Sequence, residues 1–135
     1  MSRSKSEEKI ASILRGAGIS FTQEYTIGAQ GFRGYKLPYD FHGVYNGKEF
    51  LIEFQGAEHY EFIPYFHKNR SDFLQRQVYD ERKIKAALTA NIPLYCIPYW
   101  DLDRITSIDD LLNPIYIATS KNHNYNAWRA HKENE

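Results

Sequence analysis

The chain has 135 residues, the length of one domain at roughly 100–200 residues each, and enough to bury one core but not two. Apolar residues make up 42% and charged residues 25%, close to the globular averages of about 45–50% and about 25%, which excludes disorder along the whole chain. Lysine plus arginine number 17 and aspartate plus glutamate 17, so the formal net charge is zero; this argues against a bulk polyanion binder but leaves room for a local basic surface.

Ser4 to Arg15 reads as a helix, with Ile10, Ile13 and Leu14 at three-to-four spacing, Ser4 and Glu7 in the positions of a capping box, and Gly16 and Gly18 ending it. Glu7, Ile10 and Leu14 fall at i, i+3 and i+7, so Glu7 shares the apolar face, and a carboxylate there needs a reason beyond capping. Ile19 to Ile27 reads as a strand. The segment from Gly28 to Lys36 has three glycines, but neither a phosphate-binding loop nor a dinucleotide fingerprint, and it reads as a flexible loop carrying Arg33 and Lys36.

Leu37–Tyr45 and Lys48–Gln55 form the clearest unit, two alternating arms joined by Asn46-Gly47, the strongest short hairpin signal. With a two-residue turn, Tyr45 opposes Lys48 and Asp40 opposes Glu53, while Leu51, Glu53 and Gln55 share one face of the second arm. Gly56 to Arg70 is irregular, and Ser71 to Ala90 reads as a long helix. Its stripe of Phe73, Gln77, Asp80, Ile84 and Ala87 turns Asp80 inward, and Arg76, Arg82, Lys83 and Lys85 extend from neighbouring faces. Ile92 to Tyr99 reads as a buried strand, Ser107 to Leu112 as a short helix, and the polar residues from Ser120 onward carry no predicted element, with fraying expected from about His131. A hairpin, a crossover helix and a further buried strand make the fold class α/β, a mixed sheet flanked by helices in a single domain over 1–135.

Cys96, the single cysteine, lies in an apolar run and reads as packed. The aromatic residues, 16% with eleven tyrosines, follow the apolar pattern and read as core and strand residues rather than base-stacking ones. The polar N-terminus lacks the apolar stretch of a secretory signal, and an intracellular protein is the expectation.

Two carboxylates placed directly opposite on adjacent strands repel unless a cation lies between them. Asp40 and Glu53 therefore predict a divalent-metal site at the hairpin; magnesium suits it, being usually held by one or two carboxylates plus water and phosphate oxygens. The alternatives are an acid at a solvated sheet edge or a bulge that changes the register. A magnesium so held can take a phosphate oxygen, lower the pKa of a bound water and offset charge on a leaving oxygen, which is phosphodiester hydrolysis.

Pro38-Tyr39-Asp40 followed by Glu53-Phe54-Gln55 resembles the PD-(D/E)XK nuclease motif. The wider pattern resembles the branch of very-short-patch-repair-like and phage-type homing endonucleases, with its E-D-x-H-D signature. It runs through Glu7 in Ser-x-x-Glu-x-x-Ile, through Ile52 to Tyr60, and through Tyr79-Asp80-Glu81-Arg82-Lys83 to Trp100. The resemblance spans about Ser4 to Trp100 and implies a restriction-endonuclease-like fold and metal-dependent cutting of DNA. It implies Asp40 and Glu53 as ligands of Mg2+, with Mn2+ able to substitute, and Glu7 reaching the site from the first helix. His59 would orient or deprotonate the attacking water, and Asp80 would bind metal or fix the imidazole. Gln55 stands where the motif usually has lysine; its amide can position water but carries no charge, and Lys83 or His59 can supply the missing cation in space. Arg33, Lys36, Lys68, Arg70, Arg76, Arg82 and Lys83 are the candidate DNA-phosphate contacts.

The expected function is a magnesium-dependent endodeoxyribonuclease of phage, mobile-element or repair type, acting in the cytoplasm or nucleoid of a bacterial or phage-infected cell. Self-association into a homodimer or homotetramer would double its footprint on DNA. The alternatives are a catalytically inactive DNA-binding module on the same fold and an interaction domain whose inward acids are structural.

Overall fold

The computed structural model describes residues 4–119 and 124–135. The start of the polar N-terminus (1–3) and of the polar stretch after Thr119 (120–123) lie outside the described residues. Helix α1 runs Lys5–Gly16, strand β1 Phe21–Tyr25, β2 Tyr39–Tyr45 and β3 Lys48–Gln55. Helix α2 then covers Arg70–Ala90, β4 Leu94–Pro98, α3 Ile108–Leu111 and α4 Asn124–Glu133.

The chain begins its first helix where the capping serine requires: the Ser4 hydroxyl accepts from the Glu7 N–H at 3.1 Å. Ile10, Ala11 and Leu14 are the buried stripe of α1. The hairpin turns at Asn46 and Gly47, both at positive φ (51° and 76°), which matches the right-handed twist of the flanking strands. The α2 helix is capped by Asn69, whose side chain accepts from the Asp72 N–H, and it stops at Asn91 in the left-handed conformation.

The four strands lie in the order β1-β2-β3-β4, with β1, β2 and β3 antiparallel and β4 parallel to β3 after the α2 crossover. The molecule is a mixed α/β fold, as its sequence pattern predicts. Two clusters of buried side chains cover the sheet. One gathers α1, the sheet and α3 around Phe41, Ile52, Ile97 and Leu111. The other sets α2 against Tyr39, Leu51 and Leu94 through Ile84 and Ala87.

Two regions differ from the sequence reading. The glycine segment is a folded loop: Gln30 bridges Lys36, the Leu37 N–H donates to the Ala29 carbonyl at 2.7 Å, and the Phe32 N–H donates to the Tyr79 hydroxyl at 3.0 Å. A Cβ on Gly31 would lie 2.9 Å from that hydroxyl, so a side chain there would have to displace the end of the Tyr79 ring. The second difference is α4, a helix where no element is predicted; its His131 ring stacks on Trp100 at 4.3 Å, and tertiary contact of this kind overrides a polar local sequence. Among the described residues no helix is long and apolar enough to cross a membrane.

Candidate active site

The hairpin register agrees with the turn arithmetic from Tyr45↔Lys48 to Phe41↔Ile52. At the next position the ladder gives way to side chains. The Asp40 N–H donates to Glu53 Oε1 at 3.2 Å, and the Phe54 N–H donates to Asp40 Oδ2 at 2.8 Å. Each carboxylate is thus solvated by a backbone amide of the opposite strand, which eases the repulsion of two acids brought together.

Helix α2 supplies the counter-charge. Lys83 Nζ forms an ion pair with Glu53 Oε1, both side chains being largely buried. Lys83, named from the sequence both as a phosphate contact and as a stand-in for the motif lysine, lies largely buried beside Glu53, one helical turn from Asp80. The Tyr39 ring lies 5.0 Å below the ammonium, and the Tyr39 hydroxyl donates to the Lys83 carbonyl at 2.6 Å, which fixes the start of that side chain.

The proton affinities are shifted together. Burial, then the Glu53 charge, pushes Asp40 up to about 8, and Glu7 adds to the rise. Glu53 is also raised, by burial, against the pull of Lys83. Burial works to lower Lys83, but Glu53, Asp40 and Asp80 outweigh it and push it up. All three groups hold protons more tightly than in water, the two carboxylates chiefly because burial penalises their charged forms.

Behind β3, a single 3-10 turn (Ala57–His59) carries His59 against α2. Its Nδ1–H donates to Asp80 Oδ2 at 2.8 Å, with both side chains buried. This sets the tautomer and leaves Nε2 as the acceptor, with Glu58 Oε1 4.0 Å away.

These groups converge. Glu7 from α1, Asp40 from β2, Glu53 from β3, His59 from the turn, and Asp80 and Lys83 from α2 all line one cavity of about 490 Å³. Ser6, Glu58, Phe66, Arg76 and Tyr79 are among the other residues of its wall. Gln55 does not line it: the side chain is buried, and Oε1 accepts from the Tyr60 hydroxyl at 2.7 Å. Of the candidate DNA contacts, Arg76 stands at the cavity. Arg82 donates to the Gln30 carbonyl at 2.9 Å and lies 4.8 Å from the Phe32 ring, and Arg70 lies 5.4 Å from the Phe62 ring. Arg33, Lys36 and Lys68 are exposed.

The sequence reading missed Glu58 and Tyr39. It also assigned the aromatics to core and strands, whereas Tyr65 is 90% exposed and Phe32, Tyr35 and Phe66 are more than half exposed. Alternation and helical period report which face a residue takes within a regular element, and these residues sit in loops. Among the described residues no cluster of three or more His, Cys, Asp or Glu side chains is arranged to hold a metal ion.

The chain is similar to the uncharacterized protein 307L of Invertebrate iridescent virus 6, 39% identical over 64 residues. That match covers 47% of this chain and 32% of the viral protein, so the chain spans about a third of the length of that relative. No family model and no solved structure matches the chain.

Proposed function

We propose that the protein is a metal-dependent DNA endonuclease with a restriction-endonuclease-like fold, of the PD-(D/E)XK kind. The observation that carries this reading is the convergence of Glu7, Asp40, Glu53, His59, Asp80 and Lys83, from five separate elements, on one cavity. Buried acids gathered in a cleft with raised proton affinity are a pattern of catalytic sites.

The donor set suits magnesium. Asp40 and Glu53 would hold it, both being hard oxygen donors that line one cavity with room for water and phosphate oxygens. Bound there, the ion would supply charge to the phosphate oxygens and the leaving oxygen. The chain's own residues do the rest. Nε2 of His59 accepts a proton from the water attacking phosphorus in line, while the bond from phosphorus to the leaving sugar oxygen breaks. Asp80 keeps the imidazole in the required tautomer and stabilises it once protonated. Lys83 places an ammonium beside Glu53, offsetting the charge that Gln55 does not provide. Arg76 at the cavity edge contacts a flanking phosphate.

A second reading is a DNA-binding module that does not cut. It is favoured by the same Lys83–Glu53 pair, which already neutralises one of the two acids, and by the commitment of Gln55 to Tyr60. Incubation with supercoiled plasmid and branched DNA, in magnesium or manganese against chelator, separates the two. Metal-dependent nicking that vanishes in Glu53→Gln supports the nuclease; binding without cleavage selects the module; neither binding nor cleavage overturns both.

A further inference from the structure

Asp80 is a wall shared by two cavities. On one side lies the candidate active site; on the other lies a cavity of about 570 Å³ between the segment after the His59 turn, α2 and α4. Its lining differs in kind from that of the first. The aromatic side chains of Tyr60, Phe62, Phe73 and Trp128 face it, where an ordinary core would present leucine and valine. Gln77 offers a carboxamide, with its donor and acceptor side by side, Ile84 adds one aliphatic side chain, and Arg70 stands against the carboxylates of Glu61, Asp80 and Glu81.

The aromatic wall is held from behind. His67, 4% exposed, lies near-parallel to Phe62 at 5.8 Å and edge-on to Phe73 at 5.4 Å. Its Nδ1 accepts from the Ile63 N–H at 3.0 Å, which fixes the ring that spaces the two phenylalanines. Such a cavity exists without its occupant, and preset stacking surfaces cost little to use.

We propose that this second cavity takes one unstacked nucleobase, and that the base belongs to the strand whose phosphate enters the neighbouring site. The proposal rests on the nuclease reading for its strand and names its substrate class: DNA carrying an unpaired nucleotide next to the cut. Every base has a π-face, so a wall of rings binds bases with little regard to sequence. A carboxamide can pair with the edge of a base, and a carboxylate accepts from an exocyclic amine. The volume lies within the range of small-molecule sites and exceeds that of a ring alone, leaving room for a sugar.

The test reads the base itself, with chelator present so that no strand is cut. Full-length protein is titrated into a duplex carrying 2-aminopurine as a single unpaired nucleotide, into the same duplex fully paired, and against free 2-aminopurine deoxynucleoside monophosphate. Stacking in the cavity should quench the brighter unpaired probe severalfold and leave unchanged the weak emission of the paired one, which is already stacked in its duplex. Phe73→Leu keeps the packing volume and removes the ring; it should abolish the quenching and weaken binding of the unpaired duplex by about tenfold, with binding of the paired duplex unchanged. Gln77→Leu should weaken the same binding by less. An unquenched probe, or equal binding of paired and unpaired duplexes, overturns the proposal. Quenching of the free nucleotide alone overturns its link to a strand. The nuclease reading fails on a different result, the absence of metal-dependent plasmid nicking, so the two failures are told apart.

Discussion

The two faces of the sheet are built from different materials. The face under α1 and α3 buries ten apolar residues, among them Ile10, Leu14, Phe41, Ile52 and Leu111. The face under α2 buries six, and beside them Glu53, Gln55, His59 and Asp80 are all at least nine-tenths buried, with Lys83 paired to Glu53. Apolar burial at about 25 cal/mol per Å2 accounts for the first face. The second carries charges that cost free energy to bury and are retained in pairs. Stability is concentrated on one side of the sheet, and titratable chemistry on the other.

The largest effect expected from breaking this contrast is on the charged face. On the proposed nuclease reading, Glu53→Gln should lower metal-dependent nicking by about a thousandfold, since a charged ligand to the proposed ion would be worth several kcal/mol. It also leaves Lys83 buried without its partner, at about 3–5 kcal/mol of stability. The double variant Glu53→Gln/Lys83→Met removes both charges and should recover most of that loss by thermal unfolding, while nicking stays absent. Recovery of nicking in the double variant would show that Glu53 serves only to neutralise Lys83.

The apolar face should answer in the opposite sense. Phe41 is fully buried and packs edge-on against Phe21 with centroids 5.4 Å apart. Phe41→Ala should cost about 3–5 kcal/mol, a fall of about 10–20 °C in Tm. Below the new Tm, nicking by the folded fraction should be unchanged. A loss of activity at temperatures where the variant is still folded would mean that the two faces are not independent.

How far the sequence exposes this division depends on the element. The period-2 hairpin with Asn46-Gly47 places Asp40 beside Glu53 before any coordinates are known, and the Asp80, Ile84, Ala87 stripe turns Asp80 inward. Lys83, at i+3 from Asp80 on the same side of α2, is named from the sequence as a stand-in for the missing cation, but its pairing with Glu53 across the sheet has no local signal. The break in the ladder at Asp40 has no one-dimensional signal, because it arises when two side chains replace backbone partners across strands. The same holds for Tyr60, whose hydroxyl takes the Gln55 amide out of the cavity, and for α4, whose helix depends on contacts such as Trp100 with His131. Local period reports faces; it does not report which buried groups will find one another.

A smaller effect should appear in the pH dependence of stability. The folded-state pKa of Asp40, about 8, lies above its ordinary value of 3.8. Between those values the native state keeps a proton that the unfolded state has released, so stability falls as pH rises from about 4 to about 8 and then levels. Asp40→Asn can never carry that charge and should not show the decline. At pH 9 it should exceed the wild type by several kcal/mol, and at pH 4 the two should nearly coincide. Chemical denaturation across that range measures it. A wild-type profile flat from pH 4 to 8 would mean that Asp40 stays solvated.

The smallest effect separates two bases on one helix. Arg76 lines the candidate active cavity, whereas Lys85 lines a shallow cleft with Ile27 and Thr89 on another side of α2. Both are exposed and both carry a full charge, so a model in which α2 attracts DNA only through its total charge predicts equal losses when either is removed. Contact by Arg76 with one phosphate predicts unequal ones. Arg76→Ala should reduce the slope of log K against log salt by about 0.9, the release of one counterion equivalent, and Lys85→Ala should leave it unchanged. Because neither side chain takes part in the buried pairs, both variants should unfold within about 0.5 kcal/mol of the wild type, so any difference in slope belongs to the bound state. Equal slopes would remove Arg76 from the DNA path and leave the cavity without a basic contact at its edge.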